Sequence, residues 1–262
     1  MALINEGGRR QKAHYETIHD EYEAHYYDAW SMAYRERFFF GPLLKGLNLN
    51  GQRLLDVASG SGFNTLLMRR HFPSLDAVGV DISDAACTAY TKTTGFPAVQ
   101  ADLTAPVLWN QAFDVALVIG GLHHCVSNLP QTLANLAAAL RPGGVLLMAE
   151  PSADCWLESI RKLWYRQDRY FDAPTEHALS HRALLAQAEE WFTGDDVWFV
   201  GGPAYFAILN SLVLRVPLAA KPFIGRVTFP LESLFNALNS RSAAPVFVAK
   251  WTRLPRRASQ QT

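Results

Sequence analysis

The stretch LLDVASGSGFNT, residues 54–65, constrains this chain more than any other. A short apolar run ends in Asp56, and a loop of small residues follows at once. Gly60 and Gly62 make that loop a Gly-x-Gly turn, whose backbone freedom lets a chain bend tightly around a bound group. Strand, glycine turn and helix open a β-α-β unit, which belongs to a parallel sheet covered on both faces. From Arg53 onward the pattern repeats. Strands are expected at 53–58, 76–82, 97–101, 113–119 and 144–149, with helices at roughly 62–71, 84–93 and 129–141 between them. The last helix, LPQTLANLAAAL, sets Leu129, Leu133, Leu136, Ala137 and Leu140 on one face. Pro142 and two glycines, in RPGG, then turn the chain into a strand.

Two further strands are expected near 195–202 and at 246–253, so the fold class is α/β: a Rossmann-like seven-stranded, mostly parallel sheet flanked by helices. The 262 residues suffice for one such domain, here 51–262, with substrate-facing insertions at about 153–193 and 203–245. Residues 1–50, with HYETIHDEYEAHYYDAW, lack strand alternation and are expected to form two helices. Lys+Arg and Asp+Glu both count 24, so no net field draws the protein to nucleic acid or anionic lipid. The basic run Arg253 to Arg257 reads as a solvated terminus. Three unpaired-looking cysteines, Cys87, Cys125 and Cys155, argue against a disulfide framework and for a reducing compartment. The first residues hold no apolar core of signal-peptide length, and the window 204–220 is broken by Asn210, Ser211, Arg215 and Pro217. A cytoplasmic protein without stable membrane insertion is expected.

What the glycine loop holds follows from its neighbours. A dinucleotide fingerprint wants a third glycine, and Gly60-Ser61-Gly62-Phe63-Asn64-Thr65 lacks it. Asp56 would face a pyrophosphate unfavourably but suits a ligand with an ammonium group. S-adenosylmethionine (SAM) is such a ligand, carrying an amino acid, a sulfonium, a ribose and an adenine but no phosphate. Its ribose hydroxyls call for an acid at the end of the second strand, where Asp81 stands in VGVDIS. Ile82 would lie against the adenine face, and Asp102, in QADLTAP, would meet the adenine amino group. All three aspartates fall at the carboxyl ends of strands, where open α/β sheets bind ligands. Each could instead be an ordinary turn or cap residue; Asp81 could cap the helix that starts at Ser83.

Residues 50–150 resemble the class I SAM-dependent methyltransferase family. LLDVASGSG is similar to its E/D-x-G-x-G-x-G motif, VGVDIS to its ribose-binding strand, ADLTAP to its adenine-contact turn and LRPGGVLLMAE to its fifth strand. The nearest subgroup is the small-molecule one that includes ubiquinone/menaquinone-type C-methyltransferases. The resemblance implies a cofactor set of Tyr22, Asp56, Ala58, Ser59, Gly60, Gly62, Asp81, Ile82, Asp102, Leu103 and Ile119, with SAM as cofactor and S-adenosylhomocysteine as product. Ala58 departs from the glycine usual there. The Tyr- and His-rich residues 1–50 resemble a helical lid over SAM, with Tyr15 and Tyr22 near the usual aromatic positions and Tyr22 touching the methionine moiety.

After the fourth strand comes IGGLHHC, Ile119 to Cys125, which the family places beside the sulfonium. His123 and His124 are the catalytic candidates, and His123, the first of the L-H-H often found there, is the favoured base. It could equally brace the loop by a backbone hydrogen bond. A metal site is not expected, because consecutive residues rarely converge on one ion. The motif N/D-P-P-Y/F of base-methylating enzymes is absent, which disfavours RNA or DNA. The aromatic insertions suit a small hydrophobic or aromatic acceptor, methylated at a hydroxyl or an activated carbon. Two other classes stay open: a SAM-binding subunit or sensor without catalysis, and an NAD(P)-binding oxidoreductase.

Overall fold

The apolar run Leu54, Leu55 and Val57 that opens the glycine loop forms β1 (Arg53–Val57), an interior strand of the sheet beside its central strand. The computed structural model describes residues 24–109, 111–158, 177–212 and 214–255. After β1 come α2 (Phe63–His71), β2 (Asp76–Asp81), α3 (Asp84–Thr94), β3 (Ala98–Gln100) and β4 (Phe113–Ile119). There follow α4 (Leu129–Ala139), β5 (Leu140–Pro151), α5 (His181–Ala188), β6 (Phe192–Val200), α6 (Lys221–Asn236) and β7 (Val246–Arg253). Ahead of the sheet, α1 (Ala29–Tyr34) begins at Asp28, whose carboxylate accepts from the N–H groups of Trp30 and Ser31. It runs on through a π-helical turn at Arg35–Phe40.

The seven strands lie in the order β3-β2-β1-β4-β5-β7-β6. β7 is antiparallel to both its neighbours, and the other pairs are parallel. Chain order reverses between β1 and β4, so the crevice at their carboxyl ends is where such a sheet receives a ligand. One face packs under α4 and α5, with Leu133, Leu136 and Trp251 fully buried. The other face is covered by α1, α2 and the segment after β6, with Tyr34, Phe40 and Met68 at its centre.

The seven expected strands and the helices expected at 62–71, 84–93 and 129–141 are present, with shifted ends. The part of the expected N-terminal helices before residue 24 and residues 159–176 of the insertion expected at 153–193 lie outside the described residues. α4 stops at Ala139, two residues early, and Leu140 is already extended and paired with Phe113. The next pair is Val115 with Val145, so Arg141–Gly144 bulge out of the ladder instead of preceding it. β6 begins at Phe192, because a register shift between Gly194 and Asp196 lets it pair with β7 further back. Both ends of the segment 203–245 lie at the carboxyl edge, since β6 runs parallel to β5 and β7 opposes them. Among the described residues, no helix is long and apolar enough to cross a membrane.

Candidate active site

The glycine loop keeps its shape through a buried chain of oxygen atoms. The Thr65 hydroxyl lies 2.7 Å from Asp56 Oδ2 and 2.9 Å from the Tyr90 hydroxyl. Tyr90 presses its ring against the loop from α3: a Cβ on Gly62 would meet Thr94 at 2.4 Å and Tyr90 at 2.8 Å, and Gly62 has φ 82°. Gly62 therefore serves helix packing and a left-handed turn. Asp56 and Ser59 are also buried beneath the loop, away from the cleft surface. A role for Asp56 toward a ligand thus runs through the loop it anchors.

Above this layer a cleft of about 950 Å³, counted to its open mouth, lies at the β1/β4 switch point. It is lined by Ala58, Gly60, Asp81, Ile82, Asp102, Leu103, Ile119 and His124, eight of the expected site residues. Asp81 is positioned by backbone: the Gly60 N–H donates to Oδ2 at 3.0 Å and the Ser83 N–H to Oδ1 at 2.9 Å. Ser83, not Asp81, caps α3, its hydroxyl accepting from Ala86 N–H. Asp102 closes a turn on Thr104, accepting from its N–H at 2.9 Å and its hydroxyl at 2.6 Å. Tyr22 and Tyr15 lie outside the described residues.

The two histidines part company. His123 turns back under the loop, its Nδ1 2.8 Å from Glu150 Oε2, while His124 lines the cleft. Their ring centroids lie 3.9 Å apart, with the planes tilted by 39°. The favoured base, His123, thus pairs with Glu150, and the cleft-facing ring belongs to its neighbour. Glu150, at the end of β5 and fully buried, organises the loop. It accepts from the N–H groups of Gly121 and Leu122 at 2.8 Å and of His123 at 3.3 Å. Sequence reasoning passed over Glu150, although an acid ending an apolar strand is the signal that marked Asp56 and Asp81.

Arg35 and Tyr27 were also missed. Both line the cleft, and the Arg35 guanidinium sits 4.7 Å from the Tyr27 ring centroid, with Tyr27 stacked on Phe63. Arg35 is buried and donates to Asn64 Oδ1 at 3.1 Å, yet its Nε has no hydrogen-bond partner among protein atoms. A buried cation with an unused donor is costly unless an anion meets it. The amino-acid carboxylate of SAM is such an anion, so the residues present fit this ligand: a cation for its carboxylate, Asp81 for its ribose and an apolar wall of Ile82 and Leu103 for its adenine. Among the described residues no cluster of His, Cys, Asp or Glu could hold a metal ion.

Burial pushes the carboxyls of Asp56 and Glu150 up to about 7, outweighing the hydrogen bonds from Thr65 and from the Leu122 and Gly121 amides. Unfolded carboxyls titrate near ~4, so the folded chain holds these protons more tightly, and the resulting stability is full below that pH and lost as pH rises through about 7. The urea midpoint should fall between about pH 5 and about pH 8, and fall less in Asp56→Asn. A midpoint rising across that window would contradict the burial argument. Separately, Ala58 holds φ 50°, where a side chain costs about 1–2 kcal/mol. Ala58→Gly should raise stability by up to about 1 kcal/mol in denaturant titration, part of the relief being offset by unfolded-chain entropy.

A methyltransferase-domain family model matches residues 23–190. The chain is 31% identical over 107 residues to a phthiotriol/phenolphthiotriol dimycocerosates methyltransferase of Mycobacterium leprae, covering 40% of this chain and 39% of that one. It is also 31% identical over 106 residues to the ubiquinone/menaquinone biosynthesis C-methyltransferase UbiE of Dinoroseobacter shibae, covering 38% and 42%. The match thus spans about two-fifths of the length of these relatives. In fold it is similar to the [4+2]-cyclase SpnF, with a TM-score of 0.67, 13% identity and coverage of 97% and 99%. With its family model covering the glycine loop, Asp81 and the paired histidines, the chain belongs to the class I SAM-dependent methyltransferase family.

Proposed function

We propose that the chain transfers a methyl group from SAM to a hydroxyl or activated carbon of a small, hydrophobic or aromatic acceptor. The observation that carries this reading is one cleft faced by both Asp81, pinned by two backbone amides, and His124. When bound, SAM supplies a methyl group already made electrophilic by its sulfonium. The chain's work is to hold, orient and deprotonate. Asp81 accepts from ribose hydroxyls, Ile82 and Leu103 cover the adenine, Asp102 faces its amino group and Arg35 meets the carboxylate. His124 Nδ1 or Nε2 takes the acceptor's proton, while Glu150 and His123 hold the loop that carries it. Residues 1–50 act as the lid, with Tyr27 and Arg35 on its inner side, and the segments 153–193 and 203–245 select the acceptor. A small-molecule acceptor is supported by the phthiotriol/phenolphthiotriol dimycocerosates and ubiquinone/menaquinone methyltransferases among the relatives.

A second reading, chemistry other than methyl transfer on the same fold, has the cyclase neighbour in its favour. Incubation with methyl-labelled SAM and a panel of phenols, quinols and hydroxylated lipids separates the two. Labelled product, lost in Asp81→Ala, supports methyl transfer. Tight S-adenosylhomocysteine binding with conversion of an acceptor that gains no label would favour the second reading.

A further inference from the structure

Helix α6 is built inside out. Its inner face carries charge: Lys221 and Glu232 are both fully buried. The Lys221 ammonium donates to the His25 carbonyl, to the Ser31 hydroxyl and to the Asp28 carboxylate. Glu232 accepts from the Tyr34 hydroxyl and from the Gly202 and Ala204 amides. The outer face carries the apolar side chains. Phe223 is 72% exposed, Val227 65%, Leu231 48% and Leu234 72%, and Leu238 in the following turn is 71% exposed. At 100° per residue these five fall within an arc of about 80°, a continuous stripe running the length of the helix. Leu214 and Leu218, in the approach to α6, are exposed as well.

Exposed large side chains scattered singly need no explanation, but a contiguous stripe does. Charge indicates what covers it. Arg215 and Arg226 are the exposed charged residues of the approach and the helix, and both are cationic. Arg37 adds a third cation from the turn after α1, its guanidinium donating to Ser233 on α6 at 2.9 Å. Arg226 and Ser233 lie on the same border of the stripe, at about 60–80° from Phe223. An antiparallel twofold contact between two copies of this chain would set the arginine borders on the same side, like charge facing like charge. An apolar stripe edged by arginine is instead the form of a helix that lies in a lipid interface.

We propose that the outer face of α6 docks on an anionic lipid surface, with Phe223, Val227, Leu234 and Leu238 entering the acyl boundary and Arg226 and Arg37 meeting headgroups. The neutral overall charge does not oppose this, since the attraction is local and decays within a Debye length. The contact also reaches the active site. On its flank toward α1, α6 carries Phe229, packed edge-on against Trp30 at 5.6 Å and Tyr34 at 6.2 Å, on the helix that leads from Tyr27 to Arg35. The inference is independent of the acceptor assigned above, and its test does not use activity.

The test is co-sedimentation of the full chain with vesicles of phosphatidylcholine alone and of phosphatidylcholine with phosphatidylglycerol at two to one. Binding is expected to the mixed vesicles and to be at least tenfold weaker to the neutral ones. Phe223→Glu with Leu234→Glu should abolish it, and Arg226→Ala should weaken it about fivefold, the share of one cation near such a surface. Unchanged melting temperature and S-adenosylhomocysteine affinity would show that these exposed positions leave the fold intact, and Leu238→Glu serves as the milder variant if the double one melts early. Absence of binding to mixed vesicles, or equal binding to both kinds, would overturn the proposal. So would a concentration-dependent dimer that the double variant abolishes while vesicle binding stays absent, which would assign the stripe to a second copy.

Discussion

His124→Ala should lower kcat by about a hundredfold to ten-thousandfold, the range for loss of a general base, once a labelled-methyl assay has an acceptor. S-adenosylhomocysteine affinity should barely move, because the cofactor contacts assigned to Arg35, Asp81, Ile82, Asp102 and Leu103 do not involve His124. The wild-type rate should fall toward acid pH as the base is protonated, and the variant should lack that limb. His123→Ala should behave differently. Its ring is 2.8 Å from Glu150, which also holds the amides of Gly121 and Leu122. Removing the ring should lower melting temperature and cofactor affinity together while leaving the acid limb in place. If His123→Ala removed the acid limb and His124→Ala spared it, the roles would be reversed. If both variants kept near-normal kcat, alignment and desolvation alone would carry the reaction.

Glu232→Ala should cost about 3–5 kcal/mol, enough to unfold a chain of ordinary stability. The carboxylate is fully buried and accepts from Tyr34 Oη at 2.6 Å, from Gly202 and Ala204 N at 2.8 Å and from Tyr205 N at 3.3 Å. Truncation would strand donors from two separate parts of the chain, α1 and residues 202–205, each donor costing about 1–3 kcal/mol when buried and unpaired. Burial, and then Glu232 itself, push the Tyr34 hydroxyl well above its usual range, so it stays a neutral donor at any working pH. Glu232→Gln keeps an acceptor and should recover much of the loss in urea titration. A change below about 1 kcal/mol for Glu232→Ala would mean that the contact between α6 and the helices before the sheet contributes little.

The sheet and its switch point were legible because they depend on short-range pattern. Five apolar runs, most of them separated by helical periods and each ending near an acid or a glycine turn, define β1 to β5, and all five formed. The ends moved where long-range pairing overruled local signals, as at Leu140, whose ladder partner Phe113 lies 27 positions earlier in the chain. In the site, residues on strand ends were found, since their position along β1, β2 and β4 sets where they stand. Residues reaching the cleft from outside the sheet were not. Arg35 sits in AYRERFFF, where nothing local separates a buried, cleft-facing arginine from a surface one. Choosing between His123 and His124 needed Glu150, which meets them only across β4 and β5. α6 was unreadable for the opposite reason: its pattern is periodic, but with charge inside and leucine outside, so periodicity alone would turn it the wrong way round.

The central claim, that the β1/β4 crevice binds SAM through a backbone-tethered Asp81, is tested most directly by calorimetric titration with S-adenosylhomocysteine. Wild-type protein should bind in the micromolar range, and Asp81→Ala should weaken binding by about 1.5–3 kcal/mol, the range for hydrogen bonds to a charged group. That is about a tenfold to 150-fold rise in Kd, with melting temperature measured alongside because Asp81 also accepts from the Gly60 and Ser83 amides. Unchanged affinity in a folded Asp81→Ala protein, or no binding by the wild type, would contradict the assignment of this cleft.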